Sequence, residues 1–522
     1  MKYLNLIALA LLFTVSTVFA QTKITGKVTS EAGDPLIGAN IIVKGALPVI
    51  GATTDMEGSY ELEVPEGFKI LQFSYVGYSS QEIDIEGQSV IDVVMIEGVD
   101  ASEVVVTALG ISREEKSLGY ATQEVSGDQL DKAREVNLVN SLQGKIAGVQ
   151  ITGSSNLGGS SRITIRGANS LTGNNQPLFV VDGVPVDNSN FTTTDQARGG
   201  GGYDYGNAIQ DLSPDDIESI NVLKGPTAAA LYGERAANGV ILITTKKGKS
   251  MSAKNAPIGV TINSSLQFNQ AYIFPTYQNM YGGGAGPFFL PSQLDSTQET
   301  VQFDYDGSWG PALEGQMVRH WNSYDQWDTE HYNKLAPWEA NPNNVKDFFR
   351  TGITAANSVS LGGANSKGSF RMSYTNTQQK GTQENSKLSR DNVSFNGSMN
   401  LSDKLSVNAA ANFVSSSALG RPMTGYGESV MSMFNQWFQR QLNMDELRDY
   451  INPDGTQRTW NRNSETDGSP LYWNNPFWDR FENGQKDRRD RMFGNLGLTY
   501  KFNEMFSLTG RAMTGSGFSA IY

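Results

Sequence analysis

The chain has 522 residues and a formal net charge of −13, because 54 acidic residues stand against 41 Lys and Arg. This acidic balance argues against nucleic-acid binding, which needs basic stripes. Charged residues are only 18% and hydrophobic residues 38% of the chain, while 55 residues are glycine. This composition does not suit a helical enzyme, and it favours a mainly β chain whose strands alternate apolar and small polar residues.

Residues 1–20 have the features of a signal peptide. Lys2 supplies the positive charge, residues 6–15 form a short apolar core, and Val18 and Ala20 give the small-residue cleavage pattern. We therefore expect cleavage before Gln21 and export from the cytoplasm. The apolar run is short for a membrane span, although an uncleaved N-terminal anchor is the alternative.

Residues 21–97 show short alternating apolar positions separated by turn signals. The turns are predicted at residues 33–35, 55–58 and 66–67. About seven strands in such a length predict a small β-sandwich. None of its residues indicates catalysis, so a structural or docking role is favoured.

Residues 98–127 read as a linker that carries one extended segment, residues 103–108. A run of three valines can add to the edge of a partner's sheet through main-chain hydrogen bonds. The alternative is an ordinary strand of the neighbouring domain, and composition alone does not separate the two.

Residues 128–250 predict an α/β domain. One helical stripe is followed by strands at residues 163–166, 178–182, 217–223 and 240–245. The polar, glycine-rich stretch 188–209 is too long for an ordinary connection, which indicates a loop exposed to a ligand or a lumen. The stripe consists of Leu130, Ala133, Val136, Val139 and Leu142.

Residues 251–522 predict seven strands of alternating apolarity, each near the length that crosses a bilayer as a tilted strand. The connections alternate between long ones, such as 270–356 and 415–490, and short ones, such as 402–404 and 503–505. This regular alternation favours an up-and-down membrane barrel over a soluble sandwich. Seven strands cannot close such a barrel, so we expect an incomplete antiparallel transmembrane barrel and a truncated chain.

The residues that carry chemistry in enzymes are not arranged for catalysis. The chain has no cysteine, and His320 and His331 lack zinc-ligand spacing. Residues 248–250 have the end of a P-loop without its first glycine. We therefore predict a protein that is not an enzyme and has no cofactor or metal, although paired carboxylates of a hydrolase stay possible.

Several motifs together resemble one family. The run ITIRGANSLTGNNQPLFVVDGVPVD begins at Ile163, SLQGKIAGVQI begins at Ser141, and DDIESINVLKGPTAAALYGERAANGVILITTKKG begins at Asp215. All three are similar to the plug domain of the SusC/RagA-type TonB-dependent outer-membrane transporters of Bacteroidetes. EVVVTALG, from Glu103, resembles the TonB box of these transporters. ITGKVTSEAGDPLIGANIIVKG, from Ile24, resembles their carboxypeptidase regulatory-like extension.

The resemblance implies a plug inside a barrel of about 22 strands in the cell outer membrane. It implies that TonB, energised by the inner-membrane ExbB/ExbD complex, adds a strand to the TonB box. Its residues here are Glu103, Val104, Val105, Val106, Thr107 and Ala108. The matching plug residues are Arg166, Gly167, Asp182, Gly183, Lys224, Gly225, Glu234 and Arg235. For Arg166–Gly167 and Asp182–Gly183, plain turns are favoured over a latch in which a plug arginine meets a carboxylate of the barrel. The other four plug residues are further candidates for holding the plug in the barrel.

The family implies further partners. They are a SusD-like surface lipoprotein, outer-membrane lipid and an oligomeric nutrient, a glycan or a peptide, with no nucleic acid. Two other functions stay open: a secreted β-rich adhesin or surface scaffold, and a siderophore or cobalamin receptor that uses the same machinery. Aromatic residues lie between the predicted strands, among them Trp309, Trp321 and Trp338. They either stack on sugar rings, form a membrane girdle, pack large outer loops or contact a lid protein.

Overall fold

The computed structural model describes residues 21–31, 33–46, 50–65, 67–75, 78, 80–85, 87–96, 104–106, 112–114, 122–131, 135–154, 156–171, 175–186, 188, 191–192, 194–224, 232–248, 258–365, 367–427, 429–503 and 505–521. The predicted signal peptide lies outside these residues. The described chain divides into two compact units, of which the first runs through residue 114 and the second begins at residue 122.

The first unit contains a small β-sandwich, as its turn spacing predicted. One sheet has the order β4-β1-β7 and the other the order β3-β2-β5-β6. The seven strands are β1 (Gln21–Ser30), β2 (Asn40–Val43), β3 (Gly51–Thr53), β4 (Ser59–Pro65), β5 (Ile70–Ser74), β6 (Gln81–Asp84) and β7 (Val93–Met95).

The core of the sandwich lies between its two sheets. Tyr60 on β4 meets Phe73 on β5 edge to face, with ring centroids 5.5 Å apart. The Tyr60 hydroxyl donates to the carbonyl of Ile91 at 2.9 Å. Gly26 on β1 lies so close to this carbonyl that a Cβ there would be 1.8 Å from the Ile91 oxygen. A glycine is therefore required where β1 passes the Ile91 backbone.

Two short strands follow the sandwich in the chain. β8 (Val104–Val106) pairs antiparallel with β9 (Ser112–Glu114), and Val105 lies opposite Arg113. Within the described residues these two strands form a separate two-stranded sheet. The valine run is thus extended, as predicted.

The second unit begins with the α/β domain, hereafter the plug. Its main sheet has the strand order β10-β16-β17-β13-β14, and β11 and β12 form a separate hairpin. The strands are β10 (Thr122–Ser126), β11 (Val149–Gly153), β12 (Ser161–Ile165), β13 (Leu178–Val181), β14 (Val184–Val186), β15 (Gly202–Tyr203), β16 (Ile217–Leu223) and β17 (Val240–Thr245). Short helices span Gly127–Asp131 and Thr194–Ala197, and 3₁₀ turns span Leu138–Leu142, Ala208–Asp211, Pro214–Asp216 and Glu234–Ala236.

The predicted helical stripe is divided between two short elements. Leu130 lies on the first helix, whereas Val139 and Leu142 lie on the 3₁₀ turn. The turn begins after Asn137, whose side chain accepts the Val139 amide and caps it. All three apolar side chains are buried in one core, so the apolar spacing located the core correctly. Ala133 lies outside the described residues.

The rest of the second unit contains an antiparallel sheet of seven strands, hereafter the wall. Its order is β18-β23-β24-β25-β26-β28-β29, so neighbours in the chain are neighbours in the sheet. The strands are β18 (Gly259–Asn269), β23 (Gly352–Asn365), β24 (Gly368–Lys380), β25 (Lys387–Asn400), β26 (Leu405–Leu419), β28 (Lys486–Lys501) and β29 (Ser507–Ile521). The mainly β fold class, with a sandwich, a plug and a partial antiparallel barrel, is confirmed.

The two faces of the wall differ in polarity. On β24, Met372 and Tyr374 are exposed, whereas Arg371, Ser373 and Thr375 are buried against the plug. On β25, likewise, Phe395 is exposed, whereas Ser394 and Asn396 are buried. This is the pattern of a strand between lipid and a polar lumen. Among the described helices, none is both long and apolar enough to cross a membrane.

The long connections fold together into an outer region with its own core. Trp338 and Phe348 of the first connection are fully buried and pack with Phe434, Trp460 and Phe477 of the last. The short strands are β19 (Leu290–Pro291), β20 (Glu299–Thr300), β21 (Met317–Val318), β22 (Ala336–Pro337) and β27 (Met423–Thr424). The helical segments are Trp321–Tyr324, Asn344–Asp347, Val430–Ser432, Met433–Trp437, Met444–Arg448 and Pro476–Phe481.

Candidate functional site

Of the six predicted TonB-box residues, Val104, Val105 and Val106 are described and form β8. Glu103, Thr107 and Ala108 lie outside the described residues. β8 uses one edge to pair with β9, and no other described strand pairs with it.

The two predicted Gly-containing motifs of the plug are tight turns. Arg166 and Gly167 follow β12 with positive φ angles of 58° and 94°. Asp182 and Gly183 join β13 to β14 with φ angles of 49° and 81°. The Asp182 carboxylate accepts the Thr245 hydroxyl at 2.6 Å and the Thr245 amide at 3.0 Å, which ties this turn to β17.

The remaining plug residues that we predicted lie near the plug surface. Lys224 donates to the Gln123 side chain at 3.0 Å, and its pKa is lowered by partial burial and by the nearby charge of Arg166. Glu234 and Arg235 are exposed on a 3₁₀ turn. Gly225 lies outside the described residues. None of these side chains forms an ion pair with the described wall.

Of the predicted plug residues, Asp182 contacts the wall, because its carbonyl accepts a hydrogen bond from Arg511 of β29 at 3.3 Å. A different set of residues forms the buried ion pairs between the plug and the wall, with the carboxylates on the plug and the arginines on the wall. The plug contributes the carboxylates of Asp211 and Asp216 and main-chain carbonyls, among them those of residues 136, 157, 158, 210 and 215. The wall contributes arginines. We call this contact the clasp; its arginines are Arg371, Arg390, Arg489 and Arg491 of the wall and Arg421, which follows β26 in the next connection.

The first part of the clasp centres on Asp216. Its carboxylate accepts Arg371 at 2.6 Å and the Ser373 hydroxyl at 2.6 Å. The same arginine donates to the Asp215 carbonyl at 3.2 Å. The side chains of Arg371 and Asp216 are each 9% exposed. A charge pair this far from solvent is costly to break, because each partner would remain buried and unpaired.

The second part centres on Asp211, whose side chain is 1% exposed. It accepts hydrogen bonds from Arg489 and, at 3.2 Å, from Arg491, both on β28. Asn392 on β25 donates to its carbonyl at 2.5 Å. Two wall strands therefore hold one plug residue.

The third part binds the plug backbone. Arg390 donates to the carbonyls of Val136 and Gln210, both at 2.8 Å. Arg421 is fixed by Asp487 of the wall at 2.6 Å and donates to the carbonyl of Leu157 at 2.5 Å. These arginines recognise the shape of the plug backbone.

Sequence reasoning did not assign the clasp. The available signals were the inward positions of the arginines on strands with outward apolar residues, and the acidic pair Asp215–Asp216 at the start of the third plug motif. Neither signal shows which arginine meets which carboxylate, since the partners lie some 155 to 280 positions apart in the chain.

A cavity of about 530 Å³ lies on the outer side of the clasp. We call it the amide cavity, because Asn and Gln side chains line much of it. The plug contributes Asn156 and Leu157, and the wall and the outer loops contribute the rest. Its amide residues are Asn156, Asn269, Gln270, Gln379, Gln383 and Asn435, and its aromatic residues are Phe274, Tyr277 and Phe349.

The outer aromatic residues divide into two groups. Trp321 and Trp338 are buried in the outer core, so they pack the loops. Trp309 is 69% exposed, Phe288 is 59% exposed, and both are available for contacts with other molecules.

The two histidines also lie in the outer region. His320 packs 5.4 Å from the Trp338 ring, and burial lowers its pKa to about 4. His331 lies 3.0 Å from the Asp328 carboxylate. Across the described residues, no group of three or more His, Cys, Asp and Glu side chains is placed to hold a metal ion.

Both units of the chain are similar to known protein families. The model of the TonB-dependent Receptor Plug Domain matches residues 114–240, and that of the CarboxypepD_reg-like domain matches residues 24–106. The TonB-dependent receptor P39 of Formosa agariphila is 37% identical over 238 residues, which are 45% of this chain and 21% of the relative. The TonB-dependent receptor SusC of Bacteroides thetaiotaomicron is 27% identical over 545 residues.

The matched region is a larger share of this chain than of the relatives. The SusC match takes in 99% of this chain and 46% of SusC, so the chain spans less than half of that relative. The RagAB peptide importer in its open-open state matches 80% of this chain and 42% of the solved chain, with a TM-score of 0.55 and 21% identity. At this identity the structural match establishes a common fold.

Proposed function

We infer the function from one premise, which is that the chain belongs to the SusC/RagA-type TonB-dependent receptors of the outer membrane. We propose that it takes part in the TonB-driven import of an oligomeric nutrient, a glycan or a peptide. The proposal assigns no catalytic step to the chain. The observation that carries it is the clasp, which holds a plug domain against the polar face of a membrane sheet.

The clasp supports transport because it makes the plug a closed gate that needs work to open. Asp211 and Asp216 are buried against wall arginines, so opening must break these ion pairs together with the hydrogen bonds of Arg390 and Arg421 to the plug backbone. Thermal motion alone therefore opens such a gate rarely. An outer membrane holds no ATP, so we propose that TonB supplies this work from the inner membrane.

We propose that TonB binds the segment from Glu103 to Ala108 as an added strand. β8 has one edge that no described strand covers, and strand addition relies on main-chain hydrogen bonds. A two-stranded sheet as short as β8 with β9 is marginally stable alone, and a third strand would stabilise it. The backbone carries the affinity in this mode, which suits a run of three valines.

We also propose a SusD-like surface lipoprotein as the partner at the outer region. Large apolar side chains are exposed there, among them Phe288, Leu294 and Trp309. Exposed apolar and aromatic side chains are typical of protein contacts. The outer core gives these residues a rigid base.

The proposal is tested by a proline in β8. Val105→Pro removes an amide donor from the strand, whereas Val105→Thr keeps both the backbone and the β-branched shape. We expect the proline variant to lose binding to the periplasmic domain of TonB in a pull-down, and to lose nutrient uptake while surface binding is kept. The threonine variant should behave as the unmodified protein. Equal TonB binding by both variants would remove the TonB-box assignment.

A further inference from the structure

The plug and the outer region share one short sheet. β15 of the plug lies in the glycine-rich stretch 188–209, and it pairs antiparallel with β27 of the last long connection. Gly202 lies opposite Thr424, whose hydroxyl donates to the Gly202 carbonyl at 3.1 Å, and Tyr203 lies opposite Met423. Among the described strands, no other pairing joins the plug to the outer region.

The two segments approach each other closely beside this sheet. The amide of Tyr426 donates to the Gly199 carbonyl at 3.1 Å. Gly425 has a φ of 85°, and a Cβ there would lie 2.7 Å from the Gly201 nitrogen. Glycine is the residue that adopts such a φ angle and allows such an approach without strain. The contact therefore depends on the absence of a side chain at this position.

The segment of the outer region that makes this contact also carries an arginine of the clasp. We call this segment, residues 420–427, the strap. β26 of the wall ends at Leu419, so Arg421 belongs to the strap. Arg421 donates to the carbonyl of Leu157 of the plug at 2.5 Å and to the carboxylate of Asp487 at 2.6 Å. The course of the strap therefore helps to set where this arginine meets the plug.

The other end of the strap is tied to the outer core. The Ser432 hydroxyl donates to the Gly425 carbonyl at 2.8 Å. Ser432 ends a short helix that continues directly into the helical segment Met433–Trp437. Phe434 of this segment is buried in the outer core, where its ring centroid lies 4.9 Å from that of Phe438. A movement of the outer core therefore acts on the strap through this helical segment.

On the plug side, β15 leads directly into the clasp. The next residue after β15 is Asp204, whose carbonyl accepts Arg421 of the strap at 3.4 Å. The carbonyl of Tyr205 then accepts Arg489 of the wall, also at 3.4 Å. The 3₁₀ turn that follows ends at Asp211, the buried acid of the clasp. A displacement of β15 is therefore transmitted to the clasp over a short length of chain.

We propose that the strap couples the outer region to the clasp. A change in the outer core that moves the helical segment draws β27 from β15 and Arg421 from the plug backbone, and the plug then opens more easily. The contact suits this role because β15 and β27 share only two residue pairs, so it can be broken without unfolding either partner. The inference rests on the proposed function and adds the route by which an event at the outer surface reaches the plug.

The coupling is tested by amide hydrogen exchange of the protein, purified from outer membranes in detergent. Peptides covering residues 204–216 report opening of the clasp, and those covering 430–438 report loosening of the helical segment. Gly425→Ala breaks the strap, because its Cβ would lie 2.7 Å from the Gly201 nitrogen. Gly455→Ala is the matched control, since it lies in the same connection with a φ of 86° and has no atom within 4 Å of its Cβ.

We expect Gly425→Ala to speed exchange of residues 204–216 at least about fivefold relative to Gly455→Ala, because couplings between sites amount to about 5- to 150-fold. Near-ultraviolet circular dichroism should be the same for both variants. Equal exchange of residues 204–216 in the two variants would overturn the inference.

A second variant tests the coupling in the opposite direction, because a coupling free energy acts equally on both sites. Asp211→Asn weakens the clasp at Arg489 and Arg491, outside the strap. It should speed exchange of residues 430–438 by a similar factor, and this effect should vanish when Gly425→Ala is added. A purely local packing role of the strap would not produce this result.

Two outcomes of this second test would also contradict the coupling. One is unchanged exchange of residues 430–438 in the Asp211→Asn variant, and the other is an effect of Asp211→Asn that persists when Gly425→Ala is present. The TonB pull-down with the unmodified protein is an independent measurement. If TonB binds while the coupling is absent, the proposed function stands without the strap.

Discussion

Replacing Asp216 should loosen the plug by an amount that can be derived from the clasp. Asp216→Ala removes the acceptor of Arg371 and of the Ser373 hydroxyl, and it leaves a guanidinium that is 9% exposed without its counter-charge. Losing one partner of a buried pair costs about 3–5 kcal/mol. Since 1.4 kcal/mol is a factor of ten, the plug should separate from the wall between about a hundredfold and a few thousandfold more often.

The absence of cysteine from the chain provides a direct assay for this opening. Ser213 is 7% exposed, and its hydroxyl lies 3.2 Å from that of Thr375 on the wall. In a Ser213→Cys background, alkylation of the thiol reports how often this contact opens. The alkylation rate should rise by the factor given above when Asp216→Ala is added. Glu218→Ala, at an exposed position of β16, is the matched control and should leave the rate unchanged.

A double-mutant cycle separates the pair from other effects. Arg371→Met alone should speed alkylation as Asp216→Ala does, and the double variant should be alkylated no faster than either single variant. A coupling free energy of about 2 kcal/mol or more between the two positions is expected. A coupling below about 0.5 kcal/mol, the usual limit of additivity, would refute the view that this pair holds the plug.

Two further predictions concern the sandwich and the outer core. Gly26→Ala should destabilise the sandwich by several kcal/mol, because its Cβ would lie 1.8 Å from the Ile91 oxygen, and urea unfolding should detect this loss. Gly33→Ala is the comparison variant, because no atom lies within 4 Å of its Cβ. Any loss of stability there reports only the strain of a positive φ. Burial lowers the pKa of His320 to about 4, so the unfolded chain takes up a proton first as pH falls below the ordinary value of 6.5. The free energy of unfolding of the outer core should thus fall by about 3 kcal/mol between pH 6.5 and pH 4. Tryptophan fluorescence during unfolding measures this change, and a His320→Phe variant should not show it. A pH-independent midpoint would contradict the buried neutral histidine.

The sequence predicted the strands well because their pattern is local. Strand β16 was expected at residues 217–223 and is found at Ile217–Leu223, and the wall strands follow the alternation of apolar and polar residues. The two-residue period depends only on which face meets lipid or lumen, so it can be read without knowing the partner strand. The helical stripe was predicted as one element, but Asn137 caps a separate turn inside it.

The clasp could not be predicted in the same way. Asp211 meets residues of β28 some 280 positions later, and no local pattern encodes such a distance. The aromatic residues show the same limit: Trp338 and Trp309 are alike in sequence, yet one is fully buried and the other 69% exposed. Whether an aromatic residue is buried depends on how the two long connections pack against each other in their shared core.

The contacts of Arg390 and Arg421 bear on how freely plugs can be exchanged between barrels. Both arginines bind main-chain oxygens of the plug, at Val136, Gln210 and Leu157, and a carbonyl is present whatever side chain stands there. A foreign plug with the same backbone path would present the same carbonyls to these two arginines, whereas side-chain contacts such as those of Asp211, Asp216 and Ser213 would have to be supplied by the new plug. A barrel of this kind could therefore accept new plugs by recombination long before its own strands had changed.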